Sequence, residues 1–123
     1  METALTTIAA WLSFNLMLPP VYDHPSVEFV SLAKVEAFYD DKTRTIFLPQ
    51  GWTGRSPAEL SLLVHEMVHH VQNVAGLTYA CPEEREKIAY AAQRQWLALF
   101  GRDLMRDFKI DPMTLLVRTN CMG

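Results

Sequence analysis

The segment from Ser56 to Gly76 constrains the fold most, because it carries the local signals of an α-helix from start to end. Ser56 suits the N-cap, Pro57 suits the first helical position, and Glu59 stands where a Ser-x-x-Glu capping box places its glutamate. Gly76 suits the position just past the helix end, after about Ala75. Apolar residues at helical spacing form one stripe: Leu60, Leu63, Val64, Met67, Val71 and Val74. The sequence therefore predicts a helix that packs this stripe on a core.

An HExxH pattern, His65, Glu66 and His69, lies in the middle of this predicted helix. Residues four apart lie one above the other on a helix face, so both imidazoles can reach one metal ion. Glu66 points aside, where it can take a proton from a water molecule at the metal. Both histidines lie on the flank of the apolar stripe, which suits ligands that face a cleft. The alternative is a pair of core-edge histidines that are hydrogen-bonded to carbonyl groups.

A catalytic zinc site needs a third protein ligand besides these two histidines. A second helix, predicted from Pro82 to about Gly101, offers three glutamates. Glu86 lies on the flank shared with Tyr90, whereas Glu84 falls on the opposite flank. Glu83 lies one turn before Glu86 on nearly the same flank and is the alternative ligand. Tyr90 is a candidate to donate a hydrogen bond to a developing oxyanion.

The remaining segments predict an α+β fold with a short sheet packed near these two helices. Val35–Tyr39 and Thr45–Leu48 are rich in β-branched and aromatic residues and predict a β-hairpin. Val27–Val30 predicts a short strand, and Thr3–Met17 predicts an amphipathic helix rather than a signal peptide. The tail from Asp111 to Gly123 is predicted to be irregular. One domain spanning residues 1–123 is expected from this length.

The order of hairpin, HExxH helix and glutamate-bearing helix resembles the gluzincin metallopeptidases, and the size resembles the minigluzincins. The resemblance covers about Val35 to Phe100. It implies a zincin-like domain with Zn²⁺ held by His65, His69 and Glu86, and with Glu66 as general base. It also implies a peptide or unfolded-protein substrate that lies extended along a strand above the HExxH helix.

These features predict a zinc-dependent peptidase of the endopeptidase type, in which zinc activates water and Glu66 accepts its proton. One alternative is a zinc-stabilised binding or regulatory module without catalysis, since a small core benefits from a metal. Another alternative keeps the chemistry and changes the substrate to a different amide. The net charge of −3 and the lack of any Lys/Arg run argue against nucleic acid and anionic membranes as main partners.

The two cysteines, Cys81 and Cys121, do not form a CxxC pair, which argues against a thiol zinc knuckle. They permit either one disulfide or two free thiols. The resemblance implies that the tail from Asp111 to Gly123 can occupy the cleft and inhibit the enzyme. A Cys81–Cys121 disulfide is favoured over a Cys121–zinc contact, because it would tie down a loose terminus. The disulfide would indicate a periplasmic or secreted protein, and free thiols a cytoplasmic one.

Overall fold

The computed structural model of the chain describes residues 1–31 and 36–122, and it has five helices and three strands within them. The α+β class predicted from the sequence is confirmed. In chain order the elements are α1 (Glu2–Leu16), β1 (Ser26–Val30), β2 (Phe38–Asp40), β3 (Thr45–Pro49), α2 (Pro57–Val74), α3 (Pro82–Leu99), α4 (Leu104–Asp107) and α5 (Pro112–Thr119).

The three strands form one sheet with β3 in the centre. β3 pairs in parallel with β1 and antiparallel with β2, so the predicted hairpin between β2 and β3 is present. Strand β2 is shorter than predicted and begins at Phe38, and Val35 lies outside the described residues. The Asp40 side chain shapes the turn by accepting hydrogen bonds from the Lys42 backbone and the Thr43 hydroxyl.

Helix α2 begins as its sequence predicts, with one difference at the cap. Ser56 Oγ accepts a hydrogen bond from the Glu59 backbone N–H at 3.1 Å, which is one half of a capping box. The Glu59 carboxylate does not return to the Ser56 backbone. It accepts instead from the backbone N–H and the hydroxyl of Thr53. The helix ends at Val74, and Gly76 takes the positive φ of 66° that glycine tolerates.

The main core lies between α1, the sheet and the apolar stripe of α2. Helix α1 buries one face, as the amphipathic pattern predicts, and the sheet buries the inward side chains of β3. Helix α3 packs along α2 and adds two alanines to this core. The buried residues are Leu5, Ile8, Leu12, Leu18, Ile46, Leu48, Leu63, Val64, Met67, Val68, Val71, Ala89 and Ala92.

His70 fastens β2 to α2. Its ring is fully buried, and Nε2 donates a hydrogen bond to the Asp23 carbonyl at 2.6 Å. Nδ1 must therefore accept from the Tyr39 hydroxyl, 2.9 Å away. Burial lowers the pKa of His70, which keeps the ring neutral in this role. The contact holds β2 over the HExxH helix.

The prediction of an irregular tail after Asp111 is wrong, because Pro112–Thr119 forms helix α5. The Asp111 carboxylate caps the helix by accepting from the Thr114 backbone N–H, and Pro112 takes the first helical position. Leu115 is buried in a small second core with Leu97 and Leu104. These contacts are distant in sequence, so local patterns did not reveal them.

A disulfide joins Cys81, which precedes α3, to Cys121, which follows α5, with 5.8 Å between the two Cα atoms. Of the two states that the sequence left open, the disulfide is the one present, and Cys121 is therefore not a free thiolate. The cross-link fixes the end of the C-terminal segment to the start of α3. No helix in the described part of the chain is long and apolar enough to cross a membrane.

Candidate metal centre

The HExxH residues of α2 converge on one wall of a cleft. His65 and His69 lie on the same face of the helix, as their spacing requires, with ring centroids 5.1 Å apart. Glu66 lines the same cleft and is 6 % exposed. All three side chains are thus buried from bulk solvent but open to the cleft, as predicted from their position beside the apolar stripe.

Helix α3 brings the Glu86 carboxylate to both histidines. One oxygen lies 2.8 Å from His65 Nε2, and the other lies 2.9 Å from His69 Nε2. One ligand atom from each of the three residues lies within 4.8 Å of the others. Two imidazole nitrogens and a carboxylate, all facing an open cleft, are a donor set that catalytic zinc sites use. The arrangement therefore fits a zinc ion with a coordination position left for water or substrate.

The structure does not place the alternative glutamates in this cluster. Glu83 is absent from the described cleft wall, and its Oε2 is buried with no hydrogen-bond partner among the described residues. Glu84 lies beside the Cys81–Cys121 disulfide. Among the three candidates on α3, Glu86 is the one that meets the histidines.

Two buried glutamines fix the orientation of the histidine rings. The Gln93 carbonyl lies 2.9 Å from His65 Nδ1, and the Gln72 carbonyl lies 2.8 Å from His69 Nδ1. A carbonyl oxygen only accepts, so each Nδ1 carries the proton and each Nε2 faces Glu86. Acceptors that bind Nδ1–H in this way select the histidine tautomer that a metal needs.

Further contacts determine which way the two glutamine amides face. Ser61 donates its hydroxyl proton to the Ala58 carbonyl, so its oxygen accepts from Gln93 Nε2. Gln72 Nε2 donates to the Arg85 carbonyl, while Arg85 Nε donates to Gln72 Oε1. Each amide therefore turns its oxygen toward a histidine, and the network leaves one assignment for both rings.

Arg85 ties this network to the sheet. Its guanidinium contacts both oxygens of Asp41 in the β2–β3 turn, at 2.8 and 2.6 Å. The hydrogen bond to Arg85 lowers the pKa of Asp41, so the pair stays ionised at neutral pH. Helix α3, which carries Glu86, is thereby anchored to the hairpin that borders the cleft.

Truncating either glutamine should weaken zinc binding without removing a ligand. We expect Gln72→Ala and Gln93→Ala to lower zinc affinity by roughly 10–100-fold, the range for loss of a group that is hydrogen-bonded to a metal ligand. Gln95→Ala is the matched control, because Gln95 lies exposed on the same helix as Gln93. Competition with a chromophoric chelator measures the affinities. Parent-like affinity in both variants would show that the rings are oriented without the glutamines.

Glu66 is positioned to exchange a proton. Burial raises its pKa, while the two neighbouring histidines act in the opposite direction. No described residue forms a hydrogen bond with its carboxylate, so the group is free to bind water in the cleft. A buried carboxylate with a raised pKa that faces a cleft is the usual form of a general base.

Burial and the contacts with the histidines shift the pKa of Glu86 in opposite directions. Burial alone would raise the pKa of Glu86, but the two histidines, whose Nε2 atoms lie within hydrogen-bond distance of its oxygens, outweigh it and hold that pKa below its ordinary value. Glu86 therefore stays an anion, as a metal ligand must. The two carboxylates of the site, Glu66 and Glu86, are thus held in different roles by their surroundings.

Tyr90 lies in the cleft next to His65, with the two ring centroids 4.6 Å apart in an edge-on contact. Its hydroxyl oxygen accepts a hydrogen bond from Arg118 Nη1 at 3.2 Å. Burial raises the pKa of Tyr90, so the phenol stays protonated near neutral pH. Its O–H can therefore donate to an oxygen in the cleft. Donation to a developing oxyanion is the role predicted for Tyr90, and it stays a prediction.

The cleft has a volume of about 500 Å³. Strand β2 and helices α2 and α3 form three of its sides, and Leu62 of α2 also lines it. The C-terminal segment contributes a further wall; the resemblance implied that its tail can occupy the cleft, but not which residues line it. Its lining residues are Phe108, Lys109, Ile110, Thr114 and Arg118. Sequence analysis also missed Gln72 and Arg85. Gln72 stands three residues after His69, on the same face of α2, and that spacing could have revealed it.

Comparison with known proteins gives a family but no activity. A family model described as Domain of unknown function (DUF6647) matches residues 32–123. The match includes both helices of the candidate metal centre and the C-terminal segment that lines the cleft. Searches of curated proteins and of solved structures found no match.

Proposed function

We propose that this chain, which belongs to the DUF6647 family, is a zinc-dependent peptidase of the endopeptidase type with Glu66 as its general base. One observation carries the proposal. Two histidines and Glu86 converge within 4.8 Å at an open cleft, and Glu66 stands beside them without a hydrogen bond from any described residue. A purely structural zinc site has no use for a free buried carboxylate beside it.

The roles of the side chains follow from their positions. Zinc held by His65, His69 and Glu86 would polarise a substrate carbonyl and lower the pKa of water. Glu66 accepts a proton from the attacking water and later gives it to the leaving amine. Its raised pKa suits both transfers, because a group that titrates nearer to neutral pH both takes and returns a proton readily.

Tyr90 supports the reaction as a hydrogen-bond donor. Because its oxygen accepts from Arg118, the O–H is left to donate to the carbonyl oxygen as negative charge develops there. The edge-on contact with His65 holds the phenol beside the metal ligands. Stabilisation of this kind acts only in the transition state, so it raises the rate more than the affinity.

The free edge of β2 supports an extended peptide as substrate. β2 is an edge strand whose one described partner is β3, and Ala37, Phe38 and Tyr39 line the cleft. A peptide can add to this edge through main-chain hydrogen bonds, as in other cases of strand addition. It would then pass over the HExxH helix, as the resemblance to zincins implies.

Purified protein loaded with zinc should cleave unfolded casein, and a chelator should stop the cleavage. We expect recovery when zinc is restored, because the three ligands remain in place. Gel electrophoresis and mass spectrometry of the fragments measure the reaction. Hydrolysis of small non-peptide amides without cleavage of casein would assign another amide as substrate. Tight zinc binding without any hydrolysis would favour the zinc-stabilised binding module.

The disulfide supports an oxidising compartment, which we propose to be the periplasm or the extracellular space. Structural disulfides persist there and are rare in the cytosol. The Cys81–Cys121 bond joins the start of α3 to the chain just after α5, forty residues apart. Titration of denatured, unreduced protein should find no free thiol, and two free thiols would contradict the proposal.

A further inference from the structure

Two cationic side chains from the C-terminal segment, Lys109 and Arg118, line the same cleft as the candidate metal centre. The hydrolysis proposed above uses neither of them directly. Arg118 lies in the last turn of α5, where the helix dipole favours a positive charge. The dipole explains a basic residue at this point, but not why its guanidinium turns toward the cleft.

The guanidinium of Arg118 lies close to the reacting side of the cleft. It donates to the Tyr90 hydroxyl at 3.2 Å, and the Tyr90 ring packs on His65. This is the one hydrogen bond that Arg118 forms with the described residues. A guanidinium has five N–H donors in a planar fork, so most of them remain available to a bound molecule.

Helix α5 holds Arg118 in place although the side chain itself is exposed. Asp111 caps the start of the helix, and Leu115 is buried against Leu97. The disulfide at Cys121 secures the chain just after the helix ends. The helix that carries Arg118 is therefore fixed at both ends, which lowers the conformational entropy lost when a ligand binds.

Neither cation is neutralised by an ion pair. No carboxylate in the described ranges lies within 4.0 Å of Lys109 or Arg118, whereas Arg85 is paired with Asp41. Glu36, which also lines the cleft, is close enough to feel the charge of Arg118. Partial burial raises the pKa of Glu36 and outweighs the opposite effect of Arg118.

We propose that Arg118, assisted by Lys109, forms a carboxylate-binding subsite that selects peptides with a negative charge on the α5 side of the cleft. The inference rests on the proposed peptidase function and names its substrate class. A carboxylate can engage the guanidinium fork through two parallel hydrogen bonds. An acidic side chain and a free C-terminus offer the same group, and the experiment below separates them.

Binding is measured in Glu66→Gln protein, so that no peptide is cleaved during the titration. Fluorescence anisotropy compares labelled peptides that carry Glu or Gln at one position at a time, each with a free or an amidated C-terminus. We expect one carboxylate to tighten binding by about tenfold or more, with a dependence on ionic strength. Adding Arg118→Gln should abolish this preference. Arg94→Gln, an exposed arginine of α3 outside the cleft, should retain it.

The same titrations are repeated without zinc. A carboxylate preference that persists there does not come from the metal. A preference for the Glu peptides would assign an acidic side chain, and a preference for the free C-terminus would assign the terminal carboxylate. Equal binding of all peptides, or a preference that survives Arg118→Gln, would overturn the subsite. Casein cleavage by the parent protein separates the two ideas. Cleavage without a carboxylate preference defeats the subsite alone, and the preference without cleavage defeats the peptidase alone.

Discussion

Replacing Glu66 with glutamine should reduce peptide cleavage by roughly 10²–10⁴-fold, the usual contribution of a general base. Glutamine has nearly the same shape but cannot accept a proton at neutral pH. The zinc content should stay that of the parent, because the three converging ligand atoms belong to His65, His69 and Glu86. The fold should also persist, since no described residue depends on the Glu66 carboxylate for a hydrogen bond.

Glu84→Gln is the matched control for this change. Glu84 is an exposed glutamate on the neighbouring helix, away from the three ligands, so its variant should cleave casein at the parental rate. Initial rates of fragment release and zinc content are measured on the same samples. Equal cleavage by Glu66→Gln and the parent would rule out the proposed mechanism, whereas lost zinc would make Glu66 a ligand.

Replacing Glu86 with alanine should lower zinc affinity by more than about 100-fold. Loss of an outer-shell partner already costs 10–100-fold, and a direct ligand should cost more. Glu86 is also the one described carboxylate that contacts both Nε2 atoms, at 2.8 Å from His65 and 2.9 Å from His69. Its removal leaves two ligands, which is too few for a stable catalytic zinc site.

Glu83→Ala and Glu84→Ala are the matched controls, because both glutamates belong to the first turn of α3. Both variants should bind zinc nearly as tightly as the parent. Competition titrations with a chelator of known affinity measure all three proteins. If Glu86→Ala holds zinc like the parent while Glu83→Ala does not, the ligand assignment moves to Glu83.

Helix α2 could be predicted almost completely because its signals are local. Ser56, Pro57 and Gly76 mark its two ends, and the HExxH spacing places both histidines on one face. Glu86 could be placed on the flank that faces the histidines, and the structure brings it to both of them. Its role as a zinc ligand stays a prediction. Such predictions succeed where a few neighbouring residues determine the geometry.

The C-terminal helix could not be predicted with the same ease. Asp111 and Pro112 are helix-start signals, but a helix of this length is marginal without tertiary contacts. Its stability depends on the burial of Leu115 beside Leu97 and on the disulfide from Cys121 to Cys81. These contacts join distant parts of the chain, so periodicity in the tail alone does not reveal them.

The outer parts of the site share this dependence on tertiary structure. The hydrogen bond from His65 to Gln93 depends on how α3 packs along α2. Arg118 reaches the cleft only because α5 folds back onto α3. The parallel pairing of β1 with β3 likewise depends on the connection between them rather than on either strand.

The central test of the proposed zinc site is the coordination shell of the zinc-loaded protein, which X-ray absorption at the zinc edge measures. We predict one zinc per chain with two imidazole nitrogens, the oxygen of one carboxylate and at least one further light ligand from water. Nitrogen and oxygen ligands should lie at about 2.0–2.2 Å. A sulfur ligand at about 2.3 Å, or a shell closed by four protein groups, would contradict an open catalytic site at His65, His69 and Glu86.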